Sequence, residues 1–184
     1  MTQHTLETIV ATYREHGHRQ YGESVTELQH ALQSATFARA AGEPPVVVAA
    51  ALLHDYGHLC HQLGEDIASR GVDAAHERLG YEILRAVFCD EIADACRLHV
   101  AAKRYLCQAD PAYRDGLSPA SAQSLQLQGG PMSAAEAREF ERERHFDIAV
   151  RVRRYDDMGK APEMPTPDLD HFLPLLRGFL RADP

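Results

Sequence analysis

The sequence is poor in several residue types that mark particular classes of protein. Among its 184 residues there is no tryptophan, and there are only four methionines and four cysteines. The cysteines form no C-x-x-C pair and no disulfide framework, which predicts reduced thiols in a cytoplasmic protein. No apolar run approaches the length that spans a bilayer, and no signal peptide is recognisable, so no membrane partner is expected.

An excess of positive charge is also missing. The formal net charge is −8 with histidine counted neutral, which argues against a nucleic acid or an anionic membrane as partner. Hydrophobic residues make up 45% of the chain and charged residues 25%, an ordinary balance for a soluble globular protein. The length suits one domain with one sizeable core, which we expect to span residues 1–184.

No stretch alternates apolar and polar residues as a half-buried strand does, whereas almost every stretch has helical periodicity. There is no internal repeat and no linker that would divide the chain. The sequence therefore predicts an all-α single domain. Caps and periodicity predict nine helices. The first covers 3–16, the second runs from a Ser24–Glu27 capping box to Gly42, and the third, fourth and fifth begin at Pro44-Pro45, Asp73 and Asp90. The sixth runs from Ser118-Pro119 to Gly129-Gly130, the seventh from a Ser133–Glu136 capping box to about Arg144, the eighth contains Ile148 and Tyr155, and the ninth begins at Asp168, while loops are predicted over 64–71 and 110–116.

Histidine, by contrast, is abundant, with 11 residues. An apolar run over 46–53 predicts a helix that is buried on nearly every side, and His54-Asp55 follow it directly. An imidazole and a carboxylate at the end of a buried helix are costly unless a partner such as a metal ion satisfies them. The alternative is a polar helix end that simply emerges into water.

Other histidines and one distant aspartate strengthen the metal hypothesis. Each candidate lies on a different predicted helix, apart from one adjacent pair, so they could converge inside a helical bundle. Their number exceeds one tetrahedral zinc site and suits two octahedral ions, and nitrogen and oxygen donors without thiolate favour iron or manganese. Asp55 is the natural bridge, while the alternative leaves some histidines, His76 above all, at the surface. The candidate ligands are His30, His54, Asp55, His76, His99 and Asp156.

The order of these residues resembles the H…HD…D signature of the HD-domain superfamily, whose members are all-helical and metal-dependent. His76 and His99 resemble the additional ligands of its dinuclear subset. The resemblance is closest to the PhnZ-type diiron oxygenases of phosphonate breakdown, which are related to myo-inositol oxygenase. The segments that carry it are 21–23, 27–30, 54–58, 76–80, 99–106, 117–121, 128–133 and 155–160.

This resemblance implies an HD-domain helical bundle around a mixed-valent Fe(II)/Fe(III) pair. One iron would bind His30, His54 and Asp156, the other would bind His76 and His99, and Asp55 would bridge them. The substrates would be O2 and a 1-hydroxyalkylphosphonate, whose carbon–phosphorus bond is cleaved to give phosphate and a carboxylic acid. The implied examples are 2-amino-1-hydroxyethylphosphonate, which gives glycine, and its N-methylated analogues, which give glycine betaine.

The resemblance also implies residues that contact the substrate. Lys103, His58 and Ser121 match positions that bind the phosphonate, and Lys103 lies one helical turn beyond His99. Tyr21 and Glu23 match a tyrosine and a glutamate that occupy an iron position until substrate displaces them, although one residue rather than two separates them here. The alternatives are a solvated surface lysine at Lys103 and a serine that serves only the local backbone at Ser121.

Two other functions remain open at the level of sequence. A dinuclear HD-domain phosphohydrolase would use the same ligands to activate a hydroxide against a phosphoester. A non-catalytic helical module would bind adventitious metal through its histidines. Only the oxygenase requires iron and O2, so these requirements distinguish it from both alternatives.

Overall fold

The computed structural model describes residues 4–21, 24–60 and 76–182. These residues contain ten α-helices, one short 3-10 helix and no named strand, so the all-α prediction is confirmed. The α-helices are α1 Leu6–His16, α2 Glu27–Ala40, α3 Pro45–Leu53, α4 His76–Leu84, α5 Asp90–Ala109, α6 Pro111–Asp115, α7 Pro119–Leu127, α8 Ala134–Phe140, α9 Phe146–Met158 and α10 Leu169–Arg177. No helix in these described ranges is both long enough and apolar enough to cross a membrane.

Helix α3 lies at the centre of the fold, in contact with α2, α5, α9 and α10. Its seven residues over 47–53 are all buried, because the run is apolar on every side and no face can be left to water. Pro45 occupies its first turn, where a missing backbone N–H costs nothing. The Tyr13 hydroxyl donates to the carbonyl of Leu52 at 2.8 Å and satisfies one of the acceptors at the end of the helix.

The chain leaves α3 inside the protein, since His54 is 1% exposed and Asp55 is 7% exposed. A 3-10 helix over Tyr56–Leu59 follows and packs against α4. At Gly57 a Cβ would lie only 1.9 Å from the carbonyl oxygen of His76. Glycine is therefore required here, and this close approach brings the end of α3 beside the start of α4.

Most of the predicted helix starts agree with the structure. Pro45 opens α3, Ser118 caps α7, Asp168 caps α10, and Ser133 forms a capping box with Glu136 at α8. The prediction at Ser24 was wrong. The second helix is capped by Thr26, whose capping-box partner is Gln29, and Ser24 lies outside the helix with φ of 63°.

Helix α1 begins at Leu6, with Thr5 as its N-cap, whereas the prediction began at residue 3. Three other boundaries also differ from the predictions. Cys89 is the N-cap of α5, and Asp90 is its first helical residue. The predicted loop 110–116 is instead the short helix α6, with Asp110 as its N-cap and a proline at its first position. Helix α8 ends at Phe140 rather than near Arg144. The predicted loop 64–71 and the predicted cap at Asp73 lie outside the described residues.

Candidate metal centre

Four histidines and two aspartates meet in the interior of the bundle. They come from α2, the end of α3, α4, α5 and α9, and each is at most 7% exposed. The alternative of surface histidines therefore does not hold for any of the four. These residues are the six that the sequence suggests as ligands, namely His30, His54, Asp55, His76, His99 and Asp156.

The first group of potential ligands contains four residues, whose donor atoms lie within 4.8 Å of one another. The Nε2 atoms of His30 and His54 are 3.3 Å apart. Asp156 faces both of them, with Oδ1 3.6 Å from His30 Nε2 and Oδ2 3.5 Å from His54 Nε2. Asp55 Oδ2 completes the group, at 3.4 Å from His30 Nε2 and 3.3 Å from His54 Nε2.

The second group contains His76, His99 and again Asp55. The Nε2 atoms of the two histidines are 3.0 Å apart. Asp55 Oδ1 lies 3.4 Å from His76 Nε2 and 3.0 Å from His99 Nε2. One carboxylate thus directs one oxygen toward each group, as a residue that bridges two metal ions must do.

Backbone carbonyls orient three of the four imidazoles. His30 Nδ1 is 2.8 Å from the carbonyl of Gly159, and His54 Nδ1 is 2.8 Å from that of Ala51. His99 Nδ1 is 2.7 Å from the carbonyl of Cys96. Because a carbonyl oxygen can only accept, each Nδ1 must carry the proton. The neutral ring then presents its Nε2 lone pair to the centre of the site, which is the form that binds a metal.

The fourth imidazole has a different neighbour. His76 Nδ1 lies 3.7 Å from the carboxylate of Glu77, and Glu77 Oε2 is buried without a hydrogen-bond partner in the structure. At this distance the contact is electrostatic rather than a hydrogen bond.

The geometry fits bound cations. Two Nε2 lone pairs face each other in each group, and Asp55 Oδ1 is buried without a hydrogen-bond partner. Such facing acceptors repel one another unless a positive charge lies between them. Ligands about 2.1 Å from one metal ion are on the order of 3 Å apart at octahedral or tetrahedral angles, close to the spacings found here. Imidazole and carboxylate without thiolate suit first-row ions.

The electrostatics of the site also demand positive charge. Burial alone would lower the pKa of His54, but Asp55 and Asp156 raise it to about 10. Without a bound cation His54 would therefore carry a second proton at Nε2, and a metal ion that binds there replaces this proton. Burial would raise the pKa of Asp55, yet the neighbouring His54 and His99 hold it well below its ordinary value. Both carboxylates of the first group are therefore anionic, and a cation bound between them would be strongly stabilised.

Tyr21 lies against the first group. Its ring stacks on His30 at a centroid distance of 3.8 Å, and its hydroxyl donates to Asp156 Oδ1 at 3.3 Å. Burial raises its pKa well above 10, so the side chain remains a neutral phenol. Tyr21 thus lies at the site although only one residue separates it from Glu23. Glu23 itself lies outside the described residues.

The three residues that resemble phosphonate ligands have different neighbours, and His58 lies against the second group. His58 stacks on His76 with 3.8 Å between ring centroids. Lys103 is 3% exposed and donates to Ser124 Oγ at 2.7 Å, so it is not a surface lysine. Burial, followed by the positive charge of Arg153, lowers the pKa of Lys103 to about 8.

Ser121 is also buried, at 7% exposure. Its backbone N–H donates to the Ser118 side chain that caps α7, whereas its hydroxyl accepts a hydrogen bond from Lys160 Nζ at 2.7 Å. The hydroxyl therefore serves a charged side chain from another part of the chain rather than its local backbone.

Sequence reasoning missed a buried arginine at the site. Arg153 is 4% exposed, its Nη1 lies 2.5 Å from Asp156 Oδ2, and it also pairs with Asp157. Burial would raise the pKa of Asp156, but Arg153 and His54 outweigh this effect and hold the pKa well below its ordinary value. The available signal was the spacing of three and four residues between Arg153 and these aspartates on one helix.

Comparisons with known proteins agree with this geometry. The HD domain family matches residues 28–139, a range that includes five of the six candidate ligands and stops before Asp156. The [1-hydroxy-2-(trimethylamino)ethyl]phosphonate dioxygenase (glycine-betaine-forming) of Leisingera caerulea is 43% identical over 173 residues, 94% of this chain and 88% of that protein. The hydroxymethylphosphonate dioxygenase of Gimesia maris is 41% identical over 160 residues, 86% of this chain and 80% of that protein.

Proposed function

The chain belongs to the HD domain family, and from this premise we propose that it is an O2-dependent oxygenase of 1-hydroxyalkylphosphonates. It cleaves the carbon–phosphorus bond of its substrate and leaves phosphate and a carboxylic acid. The observation that carries the proposal is the pair of ligand groups that share Asp55. The names of the two relatives, both dioxygenases of hydroxyphosphonates, support the reaction class.

The proposed cofactor is a pair of iron ions, Fe(II)/Fe(III). His30, His54 and Asp156 would hold one iron, His76 and His99 would hold the other, and Asp55 would bind both. When bound, this pair supplies the redox capacity that the reduction of O2 requires. The histidine and carboxylate donors, with no cysteine among them, support this choice of metal.

The proposed reaction consumes one O2 for each phosphate. The carbinol carbon loses its C–H and C–P bonds and becomes a carboxylate, which is a four-electron oxidation matched by the four-electron reduction of O2. One oxygen atom of O2 is gained by the carboxylate and one by the phosphate. A hydroxyphosphonate dianion thus gives a carboxylate, hydrogen phosphate and one proton.

The protein's own residues bind and orient the substrate. Lys103, His58 and Ser121 are proposed to contact the phosphonate oxygens. The burial of Lys103 and Ser121 would strengthen their contacts because little water competes for them. Tyr21 is proposed to cover the first iron until substrate binds, with Glu23 as its partner. Its hydrogen bond to Asp156 supports this role, since a substrate that displaces Tyr21 would also release that bond.

The decisive experiment follows O2 uptake and phosphate release by the iron-loaded protein. Hydroxymethylphosphonate, 2-amino-1-hydroxyethylphosphonate and its trimethylammonio analogue serve as test substrates. We expect phosphate release that needs O2, with about one O2 consumed per phosphate. Equal phosphate release under strict anaerobiosis, above all from phosphoesters, would instead establish the phosphohydrolase alternative.

The extent of the domain and its location are also proposals. We propose one domain over residues 1–184, because α1, α9 and α10 lie outside the family match and yet contribute to the main core. The chain is proposed to function in the cytoplasm with O2 and a small phosphonate as its partners. The four cysteines are all free, which supports that location because disulfides are rare in cytosolic proteins.

A further inference from the structure

We propose that Gln33 is a positioning residue of the first ligand group, because it holds in place the backbone segment whose carbonyl orients His30. The identity of the metal ion rests on the proposed function, whereas the role of Gln33 is argued from contacts in the structure. Neither the sequence pattern nor the family resemblance assigns a role to this glutamine.

The carbonyl that orients His30 has an unusual origin. For His54 and His99, Nδ1 bonds to a carbonyl only three residues earlier, so the local backbone fixes the acceptor. For His30 the acceptor is the carbonyl of Gly159, 129 residues further along the chain. The orientation of His30 therefore depends on how firmly a distant segment is held against α2.

Helix α9 does not direct this carbonyl by itself. Gly159 is the C-cap of α9, which ends at Met158, and the carbonyls at the end of a helix have no intrahelical partner. The segment nevertheless lies directly on α2, since a Cβ at Gly159 would lie 2.5 Å from Ser34 Oγ and 3.1 Å from His30 Nδ1. A contact beyond Gly159 is therefore needed to fix the segment in this position.

Gln33 provides that contact. Its side chain is fully buried, its Nε2 donates to the carbonyl of Ala161 at 2.7 Å, and its Oε1 accepts from the N–H of Ala161 at 3.0 Å. Because a carbonyl only accepts and an N–H only donates, these two bonds allow one orientation of the amide. The carbonyl of Ala161 also accepts from the N–H of Met164 at 3.2 Å, which closes a turn on the far side. The backbone at Ala161 is thus fixed in position and in rotation.

The contacts form a closed set beside the first group. Gln33 follows His30 by three residues, so both side chains lie on one face of α2. They bond to Ala161 and Gly159, which are two residues apart in the facing segment. The N–H of Gly159 donates to the carbonyl of Asp156 at 3.1 Å, which ties the same segment to the last turn of α9. Gln33 therefore acts on the positions of two ligands, His30 and Asp156.

The second group provides the contrast. Its imidazoles come from α4 and α5, and His99 is oriented by Cys96 of its own helix. A residue that only supported the overall fold would affect both groups alike. Loss of Gln33 should instead weaken the first group selectively, since removing a hydrogen bond that supports a metal ligand typically costs about 10–100-fold in metal affinity.

The test compares iron retention by Gln33→Leu and by the wild-type protein. Each iron-loaded protein is equilibrated anaerobically with increasing concentrations of a chelator, and the iron per chain is measured by elemental analysis. We expect Gln33→Leu to bind one of its two irons at least about tenfold more weakly, and the other as tightly as the wild-type protein does. Thr36→Val is the matched control, because it removes a 2.7 Å hydrogen bond to the Leu32 carbonyl that is internal to α2.

A spectroscopic measurement identifies the affected group. In protein loaded with zinc, which is diamagnetic, NMR of isotopically labelled histidine detects the proton on each Nδ1. In Gln33→Leu the Nδ1–H signal of His30 should shift and exchange faster with water, whereas that of His99 should be unchanged. If Gln33→Leu does not fold, Gln33→Glu should show the same selective change. It keeps the shape and the bond from the Ala161 N–H, but a carboxylate cannot donate to the Ala161 carbonyl.

Each outcome decides between the two roles. Unchanged iron retention, equal weakening of both irons, or an unchanged His30 signal would show that Gln33 only anchors the connection after α9 and would overturn the proposal. The same loss in Thr36→Val would overturn it as well. Selective loss of the first iron, without oxidation of any hydroxyphosphonate by the wild-type protein, would leave the role of Gln33 intact and refute the proposed oxygenase function.

Discussion

At the scale of single residues, the surroundings of Lys103 have opposing effects on the charge of its ammonium group. Burial and Arg153 disfavour its charge, whereas Asp156, Asp157 and Asp55 favour it, and its pKa is about 8. Its positive charge is therefore complete well below pH 8 and is lost as the pH rises through that value. An anion that depends on Lys103 must bind more weakly over the same range.

This shift predicts a pH profile. We expect kcat/KM for a hydroxyphosphonate to fall as the pH rises through about 8, because this parameter reports the free enzyme. In Lys103→Arg the fall should move to much higher pH, since a guanidinium keeps its proton. Steady-state rates between pH 6 and about 10 test this. If the fall in kcat/KM at high pH is unchanged in Lys103→Arg, another group is responsible for that fall.

Asp55 gives a second prediction at this scale. Asp55→Ala should lose most of both metal ions, because its two oxygens face the two ligand groups and its charge offsets both cations. Elemental analysis of the purified variant measures this. Asp94→Ala is the control, since Asp94 pairs with His145 and Arg97 outside the site. Two metal ions retained in Asp55→Ala would contradict its role as a bridge.

The ligands could be chosen from sequence because few residue types bind metals and each candidate ended or lined an apolar helix. Lys160 and Gln33 could not be chosen this way. The hydrogen bonds of Lys160 with Ser121 and of Gln33 with Ala161 depend on the path of an irregular segment after α9, which no periodicity describes. The spacing of Arg153 from Asp156 and Asp157 indicates ion pairs, but it does not predict that Arg153 is buried, because arginines are common on this chain's exposed faces.

At the scale of elements, the approach of the 3-10 helix to α4 sets the distance between the two ligand groups. A Cβ at Gly57 would lie 1.9 Å from the His76 carbonyl oxygen. The positions of a Cβ and of a carbonyl oxygen are fixed by the backbone, so no side-chain rotation can relieve this clash. The cost of Gly57 substitution must therefore appear in the position of α4 and of His76.

We expect Gly57→Ala to lower the free energy of unfolding by about 1–3 kcal/mol or more, as overpacking does, and to weaken metal binding at the second group. Chemical denaturation and metal titration measure the two effects. Gly116→Ala is the matched control, because its Cβ would meet nothing closer than 3.4 Å. Equal stability of the two variants would show that α4 moves at little cost.

The helix boundaries show what side-chain patterns alone decide. Ser24–Glu27 and Thr26–Gln29 both have the spacing of a capping box, and only the second forms one. Thr26 forms an isolated antiparallel bridge with Gln20 and has extended backbone angles, so the helix begins after it, and this pairing is not visible in the sequence pattern. The α6 helix was missed although Asp110-Pro111 has the same cap-and-proline signature as Ser118-Pro119.

At the scale of the whole molecule, the metal centre joins five parts of the fold, since its ligands come from α2, the end of α3, α4, α5 and α9. An ion that binds only the folded arrangement shifts the folding equilibrium toward it. The stability of this protein should therefore depend on the concentration of metal.

We expect iron at 100 times its dissociation constant to add about 2.7 kcal/mol to the free energy of unfolding for each ion bound. For a chain of this size, that corresponds to an increase in Tm of roughly 5–10 °C per ion. Anaerobic thermal scans with iron and with a chelator test this. In Asp55→Ala the two scans should coincide. Coincident scans for the wild-type protein would show that the ligands bind metal without linking the helices.

The wide separation of the ligands along the chain also has a consequence for biosynthesis. His30, His54 and Asp55 leave the ribosome well before Asp156 and the Gly159 carbonyl that orients His30. At about 5–20 residues per second, the interval is on the order of ten seconds. During it, the nascent polypeptide offers donors without the geometry that selects among metals. Metal selection must therefore follow translation, once α9 has docked and the set of donors is complete.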